Sequence, residues 1–188
     1  MNLIVAVDSK WGIGKKNQLL FQIYPDMRHF VQKTKSGVVI MGRKTLESLP
    51  EGKPLRDRVN IVLTRNPERL PSHASDGQRN LILCQNLIEL RQALDQLDID
   101  DDRVWVIGGA EIYALLLPYC REAYVTKVMA AEADADCWMV NLDAEDGWSL
   151  AEEGDVQEWE GLRFRFCMYS NSSTYPSDLI LQNGRISS

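Results

Sequence analysis

The sequence is poor in the residues that build metal sites and disulfide frameworks. It contains two histidines, His29 and His73, which is too few for a histidine-rich metal cluster. Four cysteines are widely spaced without a Cys-x-x-Cys pair: Cys84, Cys120, Cys137 and Cys167. Three of them lie in apolar contexts such as LILC and FRFCMY. We therefore expect buried thiols in a reducing compartment, with no disulfide and no metal site.

Long apolar runs and basic surfaces are also missing. The first apolar run ends at Asp8, and no later segment approaches the roughly 20 apolar residues that cross a membrane. The start of the chain, MNLIVAVDSK, carries no positive leader, so we expect a cytoplasmic protein that makes no membrane contact. Its 21 basic and 27 acidic residues give a formal net charge of −6. This balance argues against a nucleic-acid partner.

Familiar ligand-binding motifs are absent as well. The sequence has neither G-x-G-x-x-G nor G-x-x-x-x-G-K-[ST], which excludes the usual dinucleotide fingerprint and the phosphate loop of nucleotide hydrolases. Two acidic runs, DIDDD at 98–102 and DADCWMVNLDAED at 134–146, lack the central glycine and terminal glutamate of a calcium loop. We interpret these runs as solvated loops.

Apolar segments do alternate with helical patterns. A chain of 188 residues, 45% of them apolar, is typical of one globular domain. Short apolar runs predict strands: LIVAV (3–7), GVVIM (37–41), VNIVLT (59–64), LILC (81–84), VWVI (104–107) and AYVTKVM (123–129). Helical spacing occurs in PDMRHFVQKT, KTLESL, NLIELRQALDQL and AEIYALLL. We predict an α/β fold with a central, mostly parallel twisted sheet flanked by helices. WSLAEE and LRFRFCMYS would form an antiparallel C-terminal edge; residues 1–170 would be the domain, and 171–188 a tail of uncertain order.

One acidic side chain lies in an unusual place. In YPDMRHF, Asp26 shares a predicted helix face with Met27, Phe30 and Val31. An acid just behind Pro25 is favoured by the helix dipole, so Asp26 could simply begin a helix. Alternatively, it points into a pocket and binds a cationic or hydrogen-bond-donating ligand, because a buried carboxylate is costly without a partner. The local residues leave both interpretations open.

Glycines, cations and hydroxyls follow several predicted strands. Gly42 precedes a helix that opens with Arg43, Lys44 and Thr45, while Thr64 and Arg65 follow another strand. Ligands of open α/β sheets bind at the carboxyl ends of strands, so these residues predict a cradle for a multi-phosphate ligand. The Gly-Gly pair in VWVIGGAEIY could belong to that cradle or form a tight turn without a ligand.

A family resemblance connects these features. The segments AVDSKWGIGKKN (6–17), P-D-x-x-x-F (25–30), VIMGRKTLESLP (39–50), PLRDRVNIVLTRNP (54–67), VIGGAEIYALLLP (106–118) and YVTKV (124–128) stand in order over about residues 2–169. In this the sequence resembles dihydrofolate reductases of the ordinary chromosomal bacterial type. The resemblance implies NADPH-dependent reduction of dihydrofolate, with hydride going to C6 and a water-delivered proton to N5. Antifolates such as trimethoprim or methotrexate would bind, and we expect a monomer.

The resemblance also implies roles for individual residues. Asp26 would hold the pterin, Thr126 would hydrogen-bond Asp26, and Arg58 would clamp the glutamate α-carboxylate. The catalytic set would be Asp26, Thr126, Phe21 and Tyr113; the substrate groove would be lined by Ile4, Val5, Ala6, Met27, Phe30, Leu49, Leu55 and Ile107. The cofactor would meet Ala6, Ile13, Gly14, Asn17, Leu19, Gly42, Arg43, Lys44, Thr45, Leu63, Thr64, Arg65, Gly108, Gly109, Ala110, Glu111 and Ile112. The Gly108-Gly109 peptide would be cis, and residues 9 to about 21 would form a mobile loop over the nicotinamide.

The sequence departs from the family pattern at three places. Leu19-Leu20-Phe21 replaces the usual Leu-Pro-Trp, residues 137–139 read Cys-Trp-Met instead of Thr-x-Phe-Pro, and the loop PEGKPLRDR before Arg58 is two residues longer. The missing indole predicts an altered affinity for antifolates. Two alternatives stay open: a pyrimidinone reductase of riboflavin synthesis, which shares the fold and NADPH, and a non-catalytic module that binds pterin or NADPH.

Overall fold

A computed structural model describes residues 1–70 and 80–174. Its strands are β1 (Asn2–Val7), β2 (Gly12–Lys15), β3 (Gln18–Leu19), β4 (Val38–Gly42), β5 (Val59–Leu63), β6 (Leu81–Cys84), β7 (Val104–Gly108), β8 (Glu122–Val128), β9 (Cys137–Trp138), β10 (Trp148–Glu153), β11 (Gln157–Trp159) and β12 (Leu162–Asn171). The α-helices are α1 (Tyr24–Thr34), α2 (Arg43–Ser48), α3 (Leu87–Leu97) and α4 (Ala110–Leu116). His73 and most of the predicted tail, from residue 175 onward, lie outside the described residues.

The central sheet has the predicted arrangement. Its strand order is β10-β12-β8-β1-β7-β4-β5-β6, with β11 paired to β12 outside that path. Strands β8, β1, β7, β4, β5 and β6 run parallel to their neighbours, whereas β12 pairs antiparallel with β8, β10 and β11. The predicted α/β class and its antiparallel C-terminal edge are therefore confirmed.

The two faces of the sheet carry separate cores. Along β1, Leu3, Val5 and Val7 pack into the larger cluster, whereas Ile4 belongs to a second cluster on the other face. This division follows from the twofold side-chain period of a strand. The second cluster lies beside α1 and α2, since it includes Phe30 and Leu46. A ligand groove on this face would therefore be floored by even-numbered residues of β1.

The predicted loop at residues 9–21 contains regular structure. Within it, β2 pairs with β3 and with the distant β9, forming a separate three-stranded sheet. The buried carboxylate of Asp8 anchors its base, accepting hydrogen bonds from the amides of Lys10 (2.8 Å) and Gly12 (2.7 Å) and of Glu132 (3.0 Å). The sequence did not predict these strands, because β2 has the glycine-rich sequence GIGK and glycine is depleted in strands.

The described cysteines are all free thiols. Cys84, Cys120 and Cys167 are buried as expected, and Cys137 is half-buried. Burial raises the pKa of Cys84 to about 11 and that of Cys120 to about 12, so both stay protonated at neutral pH. Across residues 1–70 and 80–174 there is no helix that could span a bilayer and no cluster of three or more metal-ligating side chains.

Candidate active site

The first turn of α1 presents Asp26 to β8. The helix begins at Tyr24, and Pro25 and Asp26 lie in its first turn, so the helix-start interpretation is correct. The carboxylate also points into the protein, where Oδ1 accepts a hydrogen bond from Thr126 Oγ1 at 2.6 Å. Thr126 is only 2% exposed. Asp26 therefore lies at the helix start and also points inward, so the two interpretations are compatible. The predicted contact between Asp26 and Thr126 is present.

The environment of Asp26 makes its charge costly. Burial raises the pKa of the Asp26 carboxyl, and the hydrogen bond from Thr126 offsets part of this effect. Among residues 1–70 and 80–174, no cation pairs with the carboxylate. A buried carboxylate with one donor and no counter-charge is suited to a ligand that donates hydrogen bonds.

Most of the apolar side chains predicted to line a substrate groove pack together on the α1 face of the sheet. Five of the predicted substrate residues belong to the second core cluster: Ile4, Phe30, Leu49, Leu55 and Ile107. Met27 is 44% exposed, and Ala6 is partly exposed. Val5 is different, since its side chain packs into the core on the opposite face. The Val5 side chain therefore faces away from the predicted groove.

Tyr113 contacts both strand β1 and the first glycine of the Gly108-Gly109 pair. Its hydroxyl donates to the main-chain oxygen of Ile4 at 2.8 Å, and burial raises its pKa. Gly108 has φ +111°, and a Cβ there would lie 3.0 Å from the Tyr113 ring. Only glycine fits this position. The Gly108-Gly109 peptide is cis, as the resemblance implied.

Three strand ends with predicted cofactor residues lie side by side. Gly108 is opposite Met41 in the β4–β7 ladder, and Gly42 is opposite Leu63 in the β4–β5 ladder. A Cβ on Gly42 would lie 3.1 Å from Ile112, and one on Gly109 would lie 3.5 Å from Thr45 Oγ1. The starts of α2 and α4, including Ala110 and Glu111, therefore meet at one edge of the sheet.

Cations at this edge differ in their availability. Arg43 forms an ion pair with Glu47. Lys44 and Arg65 are exposed, and neither forms an ion pair with any described residue. Thr64 Oγ1 accepts a hydrogen bond from Asn66 N at 3.2 Å. Among the described residues, Lys44 and Arg65 are thus exposed cations without an ion-pair partner at this edge.

The remaining predicted cofactor residues lie in the small sheet. Ile13 is buried and Gly14 is partly exposed, whereas Leu19 is 60% exposed. Asn17 has a positive φ of 61°, as expected of a tight turn between β2 and β3. Phe21 packs against the cluster of Ile23, Val128 and Phe164.

Arg58 contacts the C-terminal half of α1. Its Nη1 donates to Thr34 Oγ1 at 2.8 Å and its Nε to the Arg56 oxygen at 3.0 Å. The guanidinium carbon lies 5.8 Å from the centroid of the Phe30 ring. Among the described residues, these contacts leave Nη2 and one N–H of Nη1 without an acceptor.

Sequence reasoning missed the side chain that holds this loop. Asn60 is fully buried in β5, where Oδ1 accepts from Leu55 N at 2.8 Å and Nδ2 donates to the oxygens of Leu55 (2.9 Å) and Arg58 (3.1 Å). Asn80 Nδ2 donates to the same two oxygens at 3.0 Å each. The available signal was a polar residue inside the apolar run VNIVL.

Replacing Asn60 with alanine is expected to weaken both stability and substrate binding. The change leaves the main-chain N–H of Leu55 without its acceptor and removes one of the two amide donors to the oxygens of Leu55 and Arg58, at a cost of about 2 kcal/mol in the free energy of unfolding. Because the loop carries Arg58, KM for a glutamate-bearing substrate should rise while cofactor affinity stays the same. Urea unfolding and steady-state kinetics measure the two effects. An unchanged KM in a folded variant would show that Asn60 does not position Arg58 for substrate binding.

Comparison with known proteins places the chain in a family. The family model described as dihydrofolate reductase matches residues 1–171. The dihydrofolate reductase of Sus scrofa is 33% identical over 188 aligned residues, covering 92% of this chain and 98% of its own. That of Drosophila melanogaster is 32% identical, covering 88% and 94%, and the viral dihydrofolate reductase of Saimiriine herpesvirus 2 is 33% identical, covering 90% and 84%. These relatives are animal and viral, so the bacterial subtype stays a prediction. The chain belongs to the dihydrofolate reductase family.

Proposed function

We propose that this enzyme reduces 7,8-dihydrofolate to 5,6,7,8-tetrahydrofolate with NADPH, thereby supplying one-carbon metabolism. The observation that carries the proposal is the half-buried Asp26 carboxylate, which Thr126 alone hydrogen-bonds among the described residues. A pterin offers an amino group and a ring N–H side by side, which match the two carboxylate oxygens. The family match favours this reaction over the riboflavin-type reductase and over a non-catalytic module.

The residues at the strand ends fit a reduced dinucleotide cofactor. Gly42 and Gly108 carry no side chain, and a Cβ on either would press on Ile112 or Tyr113. The missing side chains let the cofactor approach the main chain. Lys44 and Arg65 would meet its phosphates, and Tyr113 would lie near the nicotinamide. When bound, the cofactor supplies the hydride for C6 of the substrate. The contribution of the protein is to align the two rings.

Asp26 acts on the pterin without being the direct proton donor. Its carboxylate would bind the amino edge of the ring, away from N5, and so hold and polarise the pterin. Burial strengthens this interaction, because a charge acts more strongly in a medium of low dielectric constant. Ordered water would bring the proton to N5. Phe21, which replaces the usual indole, would border this water, so altered antifolate affinity stays a prediction.

Arg65→Ala is expected to reduce the preference for NADPH over NADH by about tenfold or more. A guanidinium beside a 2′-phosphate forms charge-assisted hydrogen bonds worth about 1.5–3 kcal/mol, and NADH lacks that phosphate. The ratio of kcat/KM values for the two cofactors measures the effect. Arg69→Ala is the matched control, since Arg69 is also exposed nearby. An equal loss for NADPH and NADH would assign Arg65 another role.

A spectrophotometric assay tests the proposed reaction. Loss of reduced-nicotinamide absorbance should require both NADPH and dihydrofolate. If the folded protein binds NADPH but oxidises it only with a riboflavin intermediate, the folate assignment fails. A monomer acting in the cytoplasm remains a prediction from the sequence.

A further inference from the structure

His29 is a titratable side chain for which the proposed reaction has no role. It lies on α1, one turn after Asp26, and its ring stacks on Phe166 with centroids 4.4 Å apart and an interplanar angle of 28°. The Tyr124 ring lies 6.5 Å away. Within the described part of the chain, neither ring nitrogen of His29 has a hydrogen-bond acceptor. The imidazole therefore serves as an aromatic packing surface.

The stack and the Asp26 hydrogen bond join the same two elements. Phe166 is directly opposite Thr126 in the β8–β12 ladder, and Thr126 donates to Asp26. Helix α1 thus contacts the neighbouring strands β8 and β12 through His29 on Phe166 and Asp26 on Thr126, and also through Lys33 on Tyr124. The stack and the hydrogen bond therefore hold the same helix turn against the same pair of strands.

The surroundings of His29 disfavour a charged ring. Burial, followed by the positive charge of Lys33, lowers the pKa of His29. Lys33 is itself held at 4.0 Å from the centroid of the Tyr124 ring. The charged or titratable groups on this side of the sheet are Asp26 and Lys33 on α1, Glu122 and Tyr124 on β8, and Glu152 on β10. The nearest carboxylate along the helix, Asp26, is bonded to Thr126 and not to the imidazole.

We propose that His29 is a positioning residue whose uncharged ring, stacked on Phe166, holds α1 where the Asp26 carboxylate can bind a pterin. Proton uptake by His29 places a second positive charge beside Lys33 at a partly buried position, and the resulting loss of packing weakens pterin binding below neutral pH. Cofactor binding is unaffected, because the strand ends that would hold it lie on the other side of β1. This inference rests on the proposed function, since it assumes that Asp26 binds a pterin.

His29→Phe is the informative variant, because it keeps an aromatic ring on Phe166 and removes the titration. Methotrexate affinity should be measured for wild type and variant at about pH 8 and about pH 5.5, where imidazole charge differs. The methotrexate Kd at about pH 5.5 divided by the Kd at about pH 8 should be about three- to tenfold larger for wild type than for the variant. A pKa change of one unit on binding corresponds to a tenfold change in Kd. NADPH affinity should show no such difference.

A second measurement does not depend on any variant at position 29. The chain has two histidines, so His73→Gln assigns the His29 ring resonances by NMR, and these should titrate below about pH 6.5. Titration at or above that pH, or identical Kd ratios for wild type and His29→Phe, would overturn the inference about His29 alone. Failure of the folded wild type to bind methotrexate at about pH 8 would instead overturn the proposed function.

Discussion

Asp26→Asn is expected to lower kcat/KM for dihydrofolate by about a hundredfold or more. Losing the charge that holds a bound, hydrogen-bonded partner costs about 3 kcal/mol in transition-state binding. The amide keeps the shape of the side chain and still accepts the hydrogen bond from Thr126, so the loss reports on charge. Steady-state kinetics measure it. Asp155→Asn is the control, since Asp155 is fully exposed between β10 and β11.

The same substitution is expected to stabilise the folded protein at neutral pH. Burial raises the pKa of Asp26 in the folded state, so its contribution to stability is greatest below the unfolded pKa and is lost as pH rises through the folded pKa. Asp26→Asn removes this cost. The melting temperature of the variant should therefore exceed that of wild type near pH 7, and the gap should shrink as the pH falls. A lower melting temperature for the variant at neutral pH would contradict the claim that the charged Asp26 carboxylate destabilises the folded protein.

Arg58→Ala is expected to raise KM for dihydrofolate by about thirtyfold or more, with a smaller change in kcat. Loss of a two-pronged, partly buried partner for a carboxylate costs about 2–5 kcal/mol. The glutamate of the substrate lies away from the reacting atoms, so KM should change more than kcat. Kinetics with NADPH held saturating measure the change.

Two controls assign that effect to the glutamate clamp. Arg56→Ala removes a neighbouring exposed cation and should change KM little, because a screened surface charge contributes weakly. Dihydropteroate, which lacks the glutamate, should be bound equally by wild type and Arg58→Ala. If the variant also lost affinity for dihydropteroate, Arg58 would act through the loop and not through the substrate carboxylate.

The main sheet was predictable from sequence because its strands are buried on both faces. Runs such as VVIM and NIVL carry this signal without help from distant residues. The short strands β2, β3 and β9 carry no such signal, since β2 is half glycine and depends on pairing with residues more than 120 positions away. Strand β11 was missed for a related reason: it has three residues and is mostly exposed.

The site was predictable to the extent that single residue types define its chemistry. An acid on an apolar helix face and cations after strand ends are local signals, and they indicated Asp26, Lys44 and Arg65 as candidates. Supporting contacts were not visible in this way. The hydrogen bonds of Asn60 to main-chain groups and the stack of His29 on Phe166 depend on where separate elements meet.

Isotope transfer tests the central claim most directly. NADPH deuterated at the transferable C4 position would be incubated with the protein and dihydrofolate, and the product examined by NMR. We predict tetrahydrofolate with one deuterium at C6, formed in step with cofactor oxidation and suppressed in Asp26→Asn. Folded protein that binds NADPH yet yields no labelled tetrahydrofolate would contradict the account.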